Sequence, residues 1–195
     1  MNTAMVPGLN LLLHFKPSAP PKIAVMDEKF IRKHFSHKDL RQRRRLVLDV
    51  QRFNEYRQKN PSTRIELIRL DLTRCELRGA NLRGASCWRT IFDKSDCRGV
   101  DFTGADLAYA KFKQCDLQHA TFREAGLTRA EFDEADFRKA VLTGALAHGA
   151  RFDGADLRET DISKLDIDAA SFWKARLRPE QQEHILSHFK NSFRS

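Results

Sequence analysis

The chain has 195 residues, 41% hydrophobic and 31% charged, which is enough for one ordinary domain with small appendages and short for two. Its formal charge of +9 raises nucleic acid or an anionic membrane as partners, but residues 1–64 hold 14 Lys and Arg against 5 Asp and Glu, whereas residues 65–195 hold 21 of each. No run of eighteen apolar residues occurs, and "VPGLNLLLHF" near the start lacks a basic flank, so neither a membrane span nor a secretory signal is expected.

Residues 1–25 are expected to be extended or disordered, since "FKPSAPPK" at 15–22 is rich in proline, which lacks a donor and restricts its neighbour. Residues 26–64 form a basic region expected to be helical. Its best helix runs through "SHKDLRQRRRLVLDVQRFNEYRQKNPS", where Ser36 or Asp39 can cap the start, Leu46, Val47, Val50 and Phe53 line a stripe, and Pro61 stops it. That stripe suits a lid over the first part of the following repeat. Arg41, Arg43, Arg44 and Arg45 on its other face either meet solvent or form a contact for phosphates or an acidic protein surface.

From residue 65 to 177 the chain divides into 23 five-residue units without an insertion. The central residue of each unit, at 67, 72, 77 and onward to 177, is Leu ten times, Phe eight, Ile twice, Cys twice and Ala once. The residue two before it is Ala in fourteen units and small or aliphatic in most others, and neither position ever holds Lys, Arg, Asp or Glu. A period of five fits neither the 3.6 of a helix nor the 2 of a half-buried strand, so these two positions point inward by a third geometry. Taking every fourth unit gives Leu72, Phe92, Phe112, Phe132, Phe152 and Phe172 in one column. Four units, or twenty residues, therefore make one coil of a four-sided solenoid, and the segment gives five to six coils and a rod of about 27 Å at strand spacing.

The stretches "CELRGANLRGA", "VDFTGADLAYAKF", "AEFDEADFRKAVLTGA" and "ARFDGADLRETDI" resemble the pentapeptide repeat protein family, whose motif is a small residue, Asp or Asn, Leu or Phe, and two variable positions. The resemblance implies an all-β solenoid, a right-handed quadrilateral β-helix whose C-terminal helix often caps the coil and helps form a dimer. It also implies one concrete partner, because some members look like a short acidic DNA duplex and bind bacterial DNA gyrase or its relative. Residues 65–177, however, carry 18 Lys and Arg against 19 Asp and Glu, a poor acidic field for such a mimic.

Residues 178–195, "RPEQQEHILSHFKNSF" and its flanks, are expected to form a C-terminal helix with Pro179 near its first position and Ile185, Leu186, Phe189 and Phe193 on one broad side. With Trp173 at an outward position of the last coil, these residues could cover the rod's end or join two copies end to end.

Little in the chain points to catalysis. All four cysteines take inward positions, and their spacings of 12, 10 and 18 do not resemble a zinc site, so no metal and no cofactor is expected. The histidines are scattered, and the recurrent Asp suits turn donors better than acid and base work. The expected function is a non-catalytic protein-binding or scaffold module for an unidentified protein partner, placed in the cytoplasm, with delivery as an effector or nucleic-acid binding through the basic N-terminal region as alternatives.

Two outward surfaces stand out. On one, Glu76, Asp96, Asp116, Asp136 and Asp156 form an acidic ladder beside a basic one of Arg78, Arg98, Arg138, Arg158 and Arg178, interrupted by Gln118. On another, an exposed Trp88 accompanies Arg89, Tyr109 and Arg129, the composition favoured at binding hot spots.

Overall fold

The computed structural model describes residues 50–59, 61, 62 and 64–192. The segments 1–25 and 26–49, with Arg41, Arg43, Arg44 and Arg45, and Phe193 at the other end, lie outside the described residues.

Between two helices, α1 (Val50–Lys59) and α2 (Pro179–Ser192), the chain winds as a four-sided coil. Each unit contributes one bridging residue, the inward central residue, a two-residue turn and the small inward residue that opens the next unit. The bridges are single, parallel and spaced by twenty residues, as in Glu66 to Ser86 and Ser86 to Asp106. Strand character is thus confined to one residue per side, because a tight turn follows at once.

Backbone hydrogen bonding explains why coils stack. The central N–H donates to the bridging carbonyl of the next coil (Leu67 to Ser86, 2.8 Å), the second turn residue donates likewise (Arg69 to Trp88, 2.9 Å), and the bridging N–H donates backward (Ser86 to Ile65, 2.8 Å). A fourth bond closes the turn, from the small residue's N–H to the central carbonyl (Leu70 to Leu67, 3.1 Å). Buried backbone groups are thereby paired without extended strands.

The turn imposes a left-handed conformation on its second residue, as a type II turn requires. Gly79, Gly84, Gly99 and Gly104 take it freely, but Arg69, Arg89, Tyr109, Gln114, Arg129, Glu134 and Lys139 take it too, with φ of 55° to 62°. A β-carbon there costs roughly 1–2 kcal/mol, so this residue is forced by its stacked neighbours. Asp or Asn at the bridging position supports the turn from below: its Oδ1 accepts the N–H two residues on, as Asp71 does from Thr73 (3.0 Å) and Asp101 from Thr103 (2.9 Å).

Inside, the rings of Phe92, Phe112, Phe132, Phe152 and Phe172 stack nearly parallel, with successive centroids 4.6, 5.1, 5.1 and 5.1 Å apart. Phe102 and Phe122 form a second stack at 5.0 Å that meets the first edge to face. One coil on, Leu142 replaces Phe in that second column and Phe137 on the adjoining side supplies the ring, 5.0 Å from Phe132. Inward hydroxyls are satisfied across coils: Thr90, Ser95 and Thr160 each donate to the carbonyl 23 residues earlier, of Leu67, Leu72 and Phe137. The thiols of Cys75, Cys87, Cys97 and Cys115 are free and buried. Burial, with Asp71 nearby, pushes Cys75 up to about 11.

Helix α1 lies against the first coil, with Val50 and Phe53 packed on the core. Its polar side chains bond the first coil, and two of these bonds, to the Asn81 N–H and the Arg83 carbonyl, are ones that a preceding coil would make. Asn54 Oδ1 accepts the Asn81 N–H (2.8 Å), Asn54 Nδ2 donates to the Gly79 carbonyl (2.8 Å), and Arg57 donates to the Arg83 carbonyl (2.7 Å). At the other end Gln181 Nε2 donates to the carbonyls of Leu157 and Thr160 at 2.7 and 2.6 Å. Thr160 is the acceptor that a further coil's residue 181 would use through its backbone, so α2 begins in the register of the repeat. Ile185 is buried and Phe189 is partly buried against the core.

Candidate interaction face

The four sides of the rod differ in how their charges are spent. On the side of the two ladders, Arg98 pairs with Asp96 and, at 3.4 Å, with Asp116 of the next coil. Arg138 holds Asp136 at 2.6 Å, and Asp156 is held by Arg158 at 2.7 Å and Arg176 at 3.3 Å. Hydrogen bonding from Arg98 and Arg158 holds the carboxyls of Asp96 and Asp156 below the usual range against the opposing effect of burial. A second side carries a further network, in which Arg151 bonds Asp133 at 2.6 and 2.7 Å and Glu131 at 3.2 Å, while Lys113 reaches Glu131 at 3.1 Å. Sequence reasoning missed this network, because its two columns mix signs, Lys111, Glu131 and Arg151 in one and Lys113, Asp133 and Asp153 in the other.

The side bearing Trp88 is different. The series Arg69, Trp88, Arg89, Tyr109, Arg129 has a guanidinium over a ring at every step, 4.8, 4.4, 5.5 and 5.8 Å from the ring centroids. Arg129 Nη1 also donates to the Tyr109 hydroxyl at 3.2 Å, and the two rings meet edge to face at 6.4 Å. Register produces this interleaving: Arg69, Arg89, Tyr109 and Arg129 are all left-handed turn residues exactly one coil apart, and Trp88 precedes Arg89 in its turn. Among the described residues none of the three arginines has a carboxylate within ion-pair distance, whereas Arg98, Arg138, Arg151 and Arg158 all do. Glu131, which follows Arg129 by two residues, is taken by Lys113 and Arg151.

The expectation of an exposed Trp88 needs correction, since the indole is half-buried under its two arginines, as is Tyr109. What the ladder offers to solvent is guanidinium edges carried on aromatic plates. Two coils beyond Trp88's neighbour Asp106, the bridging position of the same side holds Leu146, 53% exposed, where the other coils have Glu66, Ser86, Asp106, Gly126 and Asp166. The only sequence signal for it was an aliphatic residue in an otherwise polar or small column.

At the C-terminal end Trp173 and Leu186 are 66% and 57% exposed, and Lys174 Nζ sits 4.1 Å from the Trp173 ring centroid. Ile185 and Phe189 turn toward the core, so the broad apolar side of α2 divides between the two directions. His188 contacts Asp168 at 2.7 Å.

Among the described residues no group of three or more His, Cys, Asp or Glu is placed to hold a metal ion. No described helix is long and apolar enough to cross a membrane.

The chain belongs to the pentapeptide repeat family. Its sequence matches the description "Pentapeptide repeats (8 copies)" over residues 71–107, 105–144 and 135–173, more than half of its length. Among solved structures it is similar to a pentapeptide repeat protein of the cyanobacterium Cyanothece 51142, at 16% identity and a TM-score of 0.50, over 65% of this chain and 94% of that one. That likeness, with the family match, makes the coil the quadrilateral β-helix of pentapeptide repeat proteins, which is right-handed. Similarity extends to a pentapeptide repeat protein of the Arabidopsis thaliana thylakoid lumen, at 30% identity and a TM-score of 0.33, over 56% of this chain and 73% of that one. It also extends to QnrB1, a plasmid-mediated fluoroquinolone resistance protein, at 16% identity and a TM-score of 0.35, over 67% and 76%. No curated protein matches the chain.

Proposed function

We propose that this protein is a non-catalytic protein-binding module, a rigid rod whose docking face is the ladder of Arg69, Trp88, Arg89, Tyr109 and Arg129. The observation that carries this reading is the contrast between sides. Elsewhere the rod pairs most of its arginines with carboxylates of the same or the next coil, Arg74, Arg78 and Arg123 excepted, and here it mounts three of them on aromatic rings with no described carboxylate within ion-pair distance. Aromatic and Arg side chains fixed on a rigid support lose little entropy on binding, which is why they dominate hot spots. Helices α1 and α2 serve as the caps that protect the open ends of the coil. The four free thiols suit the reducing cytoplasm.

The test is recovery of a partner from cell lysate by the immobilised protein. Trp88→Ala with Arg89→Ala should remove the partner while Arg138→Ala on the ladder side retains it, both variants melting as single cooperative units. Undiminished recovery by the Trp88 and Arg89 variant rejects the face.

A second contact is favoured by the exposure of Trp173 and Leu186 at one end: a homodimer formed end to end through α2. Sedimentation equilibrium checks it, with Trp173→Ala and Leu186→Lys expected to leave a monomer. The gyrase reading draws no comparable support, because Asp96, Asp116, Asp136 and Asp156 of the rod's acidic ladder are ion-paired and project little net field. A supercoiling assay at micromolar protein should show no inhibition.

A further inference from the structure

We infer that the occupant of this face is an acidic α-helix lying along the rod axis. The inference rests on the docking-face reading above and adds the chemistry and shape of the partner.

Charge comes first. Over the coils of Arg69 to Arg129 this side presents three guanidinium groups without ion pairs among the described residues and two carboxylates, Glu66, paired with Arg64 at 3.8 Å, and Asp106, whose Oδ1 accepts the Ala108 N–H at 3.1 Å. A guanidinium held face-on to a ring still points its N–H edges outward, and those edges match carboxylates in pairs. The same interleaving argues against nucleic acid. Unpaired bases bind proteins by stacking on aromatic faces, and here guanidinium groups from the neighbouring turns already lie over both rings, at 4.4 to 5.8 Å.

Spacing selects the shape. Stacked rings in the core set the coil rise near 5.1 Å, and their interplanar angles of 6° to 16° show that a column runs nearly straight. The α-carbons of Arg69, Arg89 and Arg129 therefore stand at about 0, 5 and 15 Å along the axis, at strand-like spacing. An α-helix repeats a face about every 5.4 Å, so acids at i, i+4 and i+11 fall within about 1–2 Å of the three arginines. An extended peptide repeats a face about every 6.8 Å, so its nearest same-face residues miss the second and third arginines by about 1.7 Å each, a poorer match than the helix's misses of about 0.9 and 1.2 Å. Relief agrees with this. Ala108, Gly126 and Thr128 leave the middle of the side low, and Leu146 stands exposed beyond it as an apolar contact for the helix's far end.

The experiment uses the full chain with Trp173→Phe, which leaves Trp88 as the only tryptophan. The probe is an 18-residue capped, alanine-based helical peptide with Glu at positions 3, 7 and 14 and Leu at 17, titrated while Trp88 fluorescence is followed. Two comparison probes are an isomer broken by proline at position 9 and an oligothymidylate of equal charge. The helical peptide should bind at least tenfold tighter than either, and Arg89→Gln with Arg129→Gln should weaken it at least tenfold. Gln suits these turns because Gln114 already occupies the same conformation, with φ of 55°. Equal or tighter binding of the broken peptide or the oligonucleotide overturns the inference, as does binding indifferent to the two glutamines or absent altogether. If the peptide fails while the lysate partner is still lost with Trp88→Ala and Arg89→Ala, the helix is refuted and the face stands. Unchanged lysate recovery refutes the face itself.

Discussion

Replacing Phe112 by alanine removes the second of the five rings in the interior stack. That ring lies 4.6 and 5.1 Å from Phe92 and Phe132 and meets Phe102 and Phe122 edge to face at 5.7 and 6.1 Å. It is wholly buried, so the lost side chain represents about 150 Å² of apolar area, or about 4 kcal/mol at 25 cal/mol per Å². Stacked coils hold their backbones at fixed spacing by hydrogen bonds and cannot collapse into the void, which puts the cost at the upper part of the usual range, about 4–5 kcal/mol. Phe172→Ala is the internal comparison. Phe172 is only partly buried and has one stacked partner, Phe152 at 5.1 Å, so its loss should cost about 2 kcal/mol. Urea unfolding followed by circular dichroism measures both. Equal costs at the two sites, or a loss under about 1.5 kcal/mol at Phe112, would refute the reasoning that the column is a continuous close-packed stack.

Lys139→Gly should stabilise the rod by about 0.5–1 kcal/mol, since relief of the left-handed strain outweighs the added freedom of the unfolded chain; thermal melting checks it. Gln181→Ala should cost about 1–3 kcal/mol by leaving the Thr160 carbonyl without its donor and the Leu157 carbonyl with only the Thr160 N–H, read by urea unfolding. Acid should weaken the rod. The carboxyls of Asp96 and Asp156 titrate lower in the folded chain than in the unfolded one, so their stabilisation is present above the unfolded value of about 3.9 and lost as pH falls through the folded values. Asp156→Asn should flatten part of that decline in melts between pH 5 and 2. The four thiols, all buried, should resist a thiol reagent in the native protein and all react in denaturant, and burial further disfavours the thiolates of Cys75, Cys87 and Cys97.

The inward positions were legible because side chains at 67, 72, 77 and onward are read directly by their environment: no charged residue can sit where Phe112 or Ala120 sits. Four-sidedness followed from the Phe column alone. The columns of outward residues were equally legible, and so the opposed ladders of Asp96 and Arg98 could be drawn from sequence. What could not be drawn was how each arginine spends its charge. Arg98 and Arg89 occupy neighbouring turn positions, the first and second turn residue of their units. The first reaches back to an aspartate two residues earlier, while the second, in the left-handed conformation, leans on rings of its own and the next coil. That distinction depends on turn geometry, as does the half-burial of Trp88. The ends were the least legible part, because Asn54, Arg57 and Gln181 replace missing backbone partners by side-chain reach, which no periodicity announces.

The most direct test of the account is a pair of deletions in the regular part of the rod, compared by thermal melting and protease resistance. Removing residues 133–152 takes out one full coil, keeps every column in line and leaves the Trp88 ladder whole. That chain should unfold in a single cooperative transition and resist protease. Removing residues 135–152 instead shifts all later inward positions by two and should give an unfolded, digestible C-terminal half. Equal behaviour of the two chains would contradict the twenty-residue register on which the faces and the proposed contacts depend.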